Sequence, residues 1–547
     1  CYSFKETMAG EICPIYPDIK GISNKKIRTI IYECLTKCSN KFLDYLPNSI
    51  LEKEGLLNCV DALKMFHFPD HQDQLSMALK RLKFDEMFGY LFPRRYRHFE
   101  TQTIQEAIHL SAHHDYITQY LQQLPYQLTN AQQRVWDNIY NDFKQNKCVY
   151  RLIQGDVGSG KTDIAILGLL AAVGSGYKGA ILVPTEILAQ QHYYKCLSRC
   201  SSMNVTILLL TGKLSKQKKQ IIYDRLNSDE PLIIVGTHAL IQDDVMIKQL
   251  ALVVIDEQHR FGVFQRQSLL EKSTQMPHCL FMTATPIPRT LMLTHYGDLD
   301  HDVIDELPPG RRSAKTYYAM TNRMIQIYEF IRLEVKQGRQ AYVVFPLIEE
   351  SEHLDLESAM NGFEQLSEYF SGDSVGVLHG RMSDDEKVHI MDQFKDNQIQ
   401  ILVSTTVIEV GVDVPNASVM VIMNAERFGL SQLHQLRGRV GRGSDQAHCF
   451  LVADAKSAES KQRIKAMLDT TNGFELAEID LKIRGPGNLL GSQQSGDLLF
   501  SFANIMDQTY IQQVVSICDY VIKNQDQYEG LIRYFGSDVR MMCQQLN

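Results

Sequence analysis

The segment Gly155-Asp-Val-Gly-Ser-Gly-Lys161-Thr162 has the residue types and spacing to hold a phosphate chain. It fits the pattern GxxxxGK[ST], in which glycines let backbone N–H groups converge on phosphate oxygens. Gly155, Gly158, Ser159 and Gly160 would form the cradle. Lys161 is placed to reach the β- and γ-phosphates, and Thr162 offers a hydroxyl to Mg2+. The helix that must follow adds a favourable dipole at its N-terminus. A plain Gly-rich turn is the alternative, and the apolar strand pattern before this loop and helical pattern after it argue against that.

A second set of reactive groups follows the apolar run Leu252-Val-Val-Ile255: Asp256 and Glu257. A carboxylate at the C-terminal end of such a strand sits where ligands bind in parallel sheets. Asp256 is expected to hold Mg2+, and Glu257 to polarise the attacking water as general base. An Asp-Glu pair after a strand says little alone; paired with the phosphate loop it makes a nucleotide-hydrolysis set. A third set is Gln435-Leu-Arg437-Gly-Arg439-Val-Gly-Arg442-Gly443, with Arg427 nearby. Arg439 and Arg442 are expected to reach across a cleft to the γ-phosphate, since guanidinium is always charged and binds phosphate in a bidentate fork. The alternative is a solvated surface helix. Cys34/Cys38 and Cys196/Cys200, with His192 four before Cys196, share helix faces. They lack a fourth ligand, so ordinary helix residues are the better reading than a metal site.

The elements that must position these groups are legible in outline. The chain has 547 residues, 44% hydrophobic and 22% charged, enough for several packed domains. The longest apolar run, Ile164–Val173, is too short to cross a bilayer, so no membrane role is expected. The first residues carry no secretory pattern, and the chain begins at Cys1, as a piece of something longer would. Twelve cysteines without a CxxC pair suit reduced thiols in the cytoplasm. A net charge of −8 argues weakly against a DNA-coating protein, but only a contacting groove need be basic.

From Cys148 short β-branched runs alternate with helical patterns: Cys148–Ile153, Ala180–Val183, Val205–Leu210, Leu232–Val235, Leu252–Ile255 and Cys279–Met282. The rhythm pauses at Asp305-Glu-Leu-Pro-Pro-Gly310. It resumes with Ala341–Phe345, Val375–Leu378, Ile399–Val403, Val419–Met423 and His448–Val452. This predicts an α/β protein with two tandem parallel-sheet domains joined by crossover helices. Residues 20–120 read as mostly helical, with Pro47, Pro69 and Pro93 as breaks, and the tail from Ser501 reads as helical too. Lys80, Arg81, Lys83, Arg94, Arg95 and Arg97 form a basic stretch that suits either a solvated face or a nucleic-acid contact.

These motifs, in their order, resemble the superfamily 2 helicases and within them the RecG family. The resemblance runs through Thr129-Asn-Ala-Gln132, Gly155–Thr162, Pro184-Thr-Glu-Ile-Leu-Ala189, Gly236-Thr-His-Ala-Leu240, Asp256–His259 and Thr283-Ala-Thr-Pro-Ile-Pro-Arg289. It continues through His379-Gly-Arg-Met382, Ser404–Pro415 and Gln435–Arg442. Arg484-Gly-Pro-Gly-Asn-Leu-Leu-Gly-Ser-Gln-Gln494-Ser-Gly496 is similar to that family's translocation motif, after a helical hairpin near Ala455–Leu481; Gln493 stands where the pattern has Arg. Upstream, Ile15-Tyr-Pro17, Leu46-Pro47, Phe66-His-Phe-Pro69 and Arg81-Leu-Lys-Phe-Asp-Glu86 resemble the stretch between wedge and motor.

The resemblance implies two RecA-like motor domains that use ATP and Mg2+ to move on duplex or branched DNA, at stalled forks and Holliday junctions, in recombination and repair. It implies a helical segment over 1–120, motor domains over 121–305 and 306–454, and a translocation region over 455–547. An OB-fold wedge domain would precede Cys1. Gln132, Gly411 and Asp413 would join the nucleotide site, with Gln132 reading adenine, and Gln435 the catalytic set. Thr185, Thr237, His259, Thr283, Thr285, Thr405, Arg484 and Gln494 would contact DNA or couple to it. The resemblance also implies action as a monomer, with a single-strand-binding protein as a candidate contact. Alternatives are the motor of a transcription-repair coupling factor, an RNA helicase, or a nucleotide-gated DNA scaffold without turnover. The last would need a broken catalytic set, and Lys161, Asp256, Glu257, Arg439 and Arg442 are all present.

Overall fold

The computed structural model describes residues 3–6, 12–104, 108–110, 114–145, 148–270, 272–273, 275–288, 291–292, 299–308, 313–346, 352–405, 414–443, 445–484, 500–504 and 507–535. The chain forms two compact units. One comprises Cys1–Thr101, Arg289–Asp298 and Pro486–Asn547, the other Gln102–Pro288 and Leu299–Gly485.

The first unit holds an antiparallel pair, β1 (Ser3–Glu6) and β2 (Ile12–Ile15), and its other described elements are mostly helices. Its helices include Asn24–Lys37, Asn48–Glu54, Cys59–His67, Gln72–Ile104 and Gln508–Lys523. Ser23, Asn58 and Asp507 start three of them by accepting a backbone N–H on the side chain. Gly55, in the left-handed region at φ 58°, ends Asn48–Glu54.

Pro93 does not break a helix as its sequence position predicts; it lies inside Gln72–Ile104. A proline there costs about 3 kcal/mol. Phe84, Phe88, Phe92 and Tyr96 lie four residues apart along the helix and stack with centroids 5.4, 5.0 and 5.8 Å apart. Burying each of Phe84, Phe88 and Phe92 contributes roughly 1.5–3 kcal/mol, which together outweighs the proline.

The basic stretch is not a free face either. Arg81 is fully buried, gripping Asp44 and Asp85, each at 2.7 Å. Lys83 pairs with Asp507 at 3.0 Å and Arg95 with Asp519 at 2.6 Å. Lys80 caps the Glu54 and Gly55 carbonyls, and Arg94 donates to the Tyr90 carbonyl.

The second unit carries two all-parallel sheets. The first has the order β5 (Thr206–Leu210), β6 (Leu232–Gly236), β4 (Lys178–Leu182), β7 (Leu250–Ile255), β8 (His278–Thr283), β3 (Tyr150–Gly155), β9 (Asp300–Ile304). The second has the order β10 (Lys315–Ala319), β15 (His448–Val452), β14 (Ala417–Ile422), β11 (Gln340–Val344), β13 (Ile401–Ser404), β12 (Val375–Leu378).

Strands β4, β6, β7 and β8 are buried along their whole length, as strands covered on both faces must be. The helix Lys161–Gly174 is apolar on nearly all sides and packs on them. A Cβ at its Gly168 would stand 3.0 Å from Leu252 and 3.3 Å from Leu280, so glycine lets the helix lie this close without displacing those leucines. Every apolar run predicted from the sequence is a strand. β9 and β10 escaped prediction because they are edge strands, partly exposed and with polar residues that break the apolar run.

Two stretches next to the sheets pack with the second unit. The helix His114–Gln123 buries Tyr120, whose hydroxyl donates to Asp163 at 2.8 Å. The hairpin helices Ala458–Asp469 and Gly473–Arg484 bury Ile464, Met467 and Leu476 in the core of the second sheet.

Candidate active site

Strand β3 ends at Gly155, and the loop to Gly160 turns directly into Lys161–Gly174. Gly158 and Gly160 have φ 78° and 88°, the left-handed region that turns their N–H groups into the loop. Lys161 Nζ donates to the Gly155 and Asp156 carbonyls at 2.5 and 2.9 Å, which holds the ammonium inside the cradle. Ser159 Oγ, buried in the loop, has no hydrogen-bond partner among the described residues.

Gln132 braces this loop from behind. Its Nε2 donates to the Ser159 carbonyl at 2.7 Å, and its Oε1 accepts the Thr129 N–H at 2.8 Å in a capping box. The side chain is fully buried, and a Cβ on Gly160 would collide with it. The residue predicted to read adenine is thus engaged on the phosphate loop.

Strand β7 delivers the two carboxylates. Asp256 N–H donates to the Leu182 carbonyl, continuing the ladder onto β4, and Glu257 then turns out of the sheet at φ 51°. That conformation is costly for a residue with a side chain and is a mark of functional sites. Asp256 Oδ1 accepts the Glu257 N–H at 3.0 Å, and Oδ2 meets His192 Nε2 at 2.9 Å. Burial pushes Asp256 up, but the hydrogen bond and charge of His192, with Lys161, outweigh it and leave it below its ordinary value. Glu257 is raised, by burial first and then by the Asp256 charge, with Lys161 and Arg439 pulling the other way. Adjacent carboxylates whose proton affinities are driven apart suit separate roles, one a lasting anion and one a proton acceptor.

The second sheet contributes the helix Leu430–Arg437 and the turn after it. Gln435, Arg437 and Arg439 are all buried. Arg439 and Arg442 line one cleft of about 630 Å³ with Gly158, Lys161, Thr162, Asp256 and Glu257. Arg437 points elsewhere: it donates to the Met467, Thr470 and Thr471 carbonyls at 3.0, 3.0 and 3.2 Å, and to His434 Nδ1 at 3.0 Å. Guanidinium only donates, so His434 carries its proton on Nε2 and donates it to Asp156 of the phosphate loop at 2.9 Å. Burial pushes Asp156 up, but the hydrogen bond from His434, with the charges of Lys161 and Arg437, holds it below its ordinary value. A Cβ on Gly473, at the head of the second hairpin helix, would lie 2.5–2.7 Å from Asp156, His434 and Pro286. The phosphate loop, the arginine helix and the hairpin therefore meet at one point.

The remaining predicted residues divide. Thr185 caps the helix Glu186–Arg199. Thr237, Thr283 and Thr405 are buried, and Thr283 bonds Thr285 hydroxyl to hydroxyl at 2.6 Å. None of those three faces solvent, and Thr405 Oγ1 has no hydrogen-bond partner among the described residues. Gly411, Asp413 and Gln494, and the side chains of His259 and Arg484, lie outside the described residues. Sequence reasoning missed His434, and it weighed His192 only as a partner of Cys196. Cys196 and Cys200 are buried core residues, and no group of metal-ligating side chains was found among the described residues.

Two parallel sheets that close a phosphate loop, a carboxylate pair and arginines into one cleft define a two-domain phosphate-loop motor. Three family models match the chain in order: DEAD/DEAH box helicase over 129–294, helicase conserved C-terminal domain over 322–444, and ATP-dependent DNA helicase RecG, domain 3, C-terminal, over 470–534. An ATP-dependent DNA helicase RecG of Synechocystis is 47% identical over 92% of this chain, and that of Bacillus subtilis 45% over 90%. The chain spans 60% of the first relative and 72% of the second. A RecG bound to a three-way DNA junction is 40% identical, with a TM-score of 0.71 over 93% of this chain and 66% of its own. Mss116p, 17% identical with a TM-score of 0.51, shares the fold. The chain belongs to the RecG family.

Proposed function

We propose that this chain is an ATP-driven DNA motor that moves on duplex DNA and remodels branched DNA, such as stalled forks and Holliday junctions, in recombination and repair. One observation carries the reading: Lys161, Asp256, Glu257, Arg439 and Arg442 line a single cleft of about 630 Å³, a size that suits a nucleoside triphosphate. The donor set fits Mg2+, since Thr162 and Asp256 bring hard oxygens to that cleft. When bound, the ion would neutralise charge on the β- and γ-phosphate oxygens. Lys161 exchanges the two loop carbonyls for phosphate oxygens. Glu257, raised toward the proton affinity of a useful base, takes a proton from the attacking water. Arg439 and Arg442 stabilise the charge that builds on the transferred phosphoryl group.

The relatives and the match over 470–534 favour a RecG-type motor over that of a transcription-repair coupling factor. The cysteines described are free thiols, in keeping with a reducing cytosol, and no described helix is long and apolar enough to cross a membrane. The test is ATPase activity titrated with forked, duplex and single-stranded DNA and with RNA. Duplex or forked DNA should stimulate most. Equal or greater stimulation by RNA would overturn the reading.

A further inference from the structure

We propose that His192 is the positioning residue for Asp256, fixing the carboxylate in the orientation that holds Mg2+ beside the phosphate loop. This rests on the reading of Asp256 as the Mg2+ carboxylate. Both Asp256 oxygens carry a protein donor: Oδ1 has the Glu257 N–H at 3.0 Å, and Oδ2 has His192 Nε2 at 2.9 Å. An ionised carboxylate only accepts, so Nε2 bears the proton. One donor on each oxygen fixes the plane of the carboxylate and leaves a lone pair on each for the cleft.

The imidazole is itself held. It projects from the helix Glu186–Arg199 beside Leu188, Ala189 and Cys196, all buried, and is only 6% exposed. Its Nδ1 is buried without a partner among the described residues, and the ring borders the same cleft as Thr162, Asp256 and Glu257. A side chain held only for packing would not need a polar ring at this place. A hydrogen-bonded partner that orients a metal-binding carboxylate is worth about 10–100-fold in metal affinity.

Binding of a fluorescent ADP analogue, measured against Mg2+ concentration and in EDTA, tests this in three variants. His192→Leu keeps bulk without a donor. His192→Gln keeps an N–H near the Nε2 position. Asp256→Ala removes the carboxylate. H192L should raise the Mg2+ concentration for half-maximal tightening by about tenfold or more, with EDTA affinity near wild type, and H192Q should restore most of the loss. The proposal is overturned if H192L leaves the Mg2+ dependence unchanged while D256A shifts it. It is also overturned if H192L and H192Q shift it equally, which would make His192 a packing residue. If D256A itself leaves the Mg2+ dependence unchanged, the assignment of Asp256 fails instead.

Discussion

At the scale of single residues, the division of labour within the cleft can be read from charge and hydrogen bonding. Glu257 holds a left-handed backbone and a raised proton affinity next to a carboxylate kept anionic. Glu257→Gln should leave nucleotide affinity close to wild type while kcat falls roughly 10²-fold or more, because the base is lost and the phosphate contacts are not. Unchanged turnover would remove Glu257 from the chemistry. Arg439 shares the cleft and its charge acts on Glu257. Arg439→Ala and Arg442→Ala should each depress hydrolysis, by about 10³-fold for a residue acting as an arginine finger, with DNA affinity at low salt maintained. Loss of DNA binding in either variant would reassign that arginine to the DNA backbone.

At the scale of elements, the site depends on how closely the helix Lys161–Gly174 lies on β7 and β8. Gly168→Val adds bulk where even a Cβ would be 3.0 Å from Leu252, and should destabilise the protein by about 1–3 kcal/mol. A lower urea midpoint with unchanged slope would show it. The strand pair β3–β8 carries a pH-sensitive joint at its head. His278 is fully buried, takes the Val149 N–H on Nδ1 at 3.0 Å and donates from Nε2 to the Ile108 carbonyl at 2.6 Å. Burial pushes it down to about 4 from 6.5, with the Ile108 bond working against that. The unfolded chain therefore binds a proton near pH 6.5 that the folded chain refuses until about pH 4. Its contribution is complete above pH 6.5 and is lost as pH falls toward 4, roughly 2 kcal/mol of it by pH 5. Melting curves at pH 7 and 5 should show a smaller drop for His278→Asn than for wild type, on top of its lower stability at pH 7.

At the scale of the whole chain, the two sheets must act as one machine. The link described here is His434 Nε2–H to Asp156, two groups 278 residues apart, backed by Arg437 on the hairpin carbonyls. It ties the phosphate loop to the helical hairpin that ends at Arg484. His434→Ala should raise the KM for ATP and reduce the stimulation of ATPase by duplex DNA, while DNA binding itself changes little. Steady-state ATPase titrations beside gel shifts read these separately, and a variant with normal DNA stimulation would show that the bond only stabilises the loop.

Local spacing carried much of this protein in its sequence. The phosphate loop and the carboxylates after β7 each follow a strand, and the arginines lie at the end of Leu430–Arg437 and in the turn after it, so each set sits within one short stretch of chain. The fully buried strands announced themselves because burial on both faces demands unbroken apolar runs. Other features belonged to the tertiary structure alone. Edge strands β9 and β10 need no apolar run. Pro93 is tolerated because aromatic packing outweighs its cost. Half of the basic stretch, Arg81, Lys83 and Arg95, is engaged by Asp44, Asp507 and Asp519, partners far away in the sequence, with Asp85 also on Arg81. Gln132, His192 and His434 took their places by hydrogen bonds to residues 27, 64 and 278 positions away. No local pattern records such partners, because a hydrogen bond depends on distance and angle in space, which only the packed sheets set.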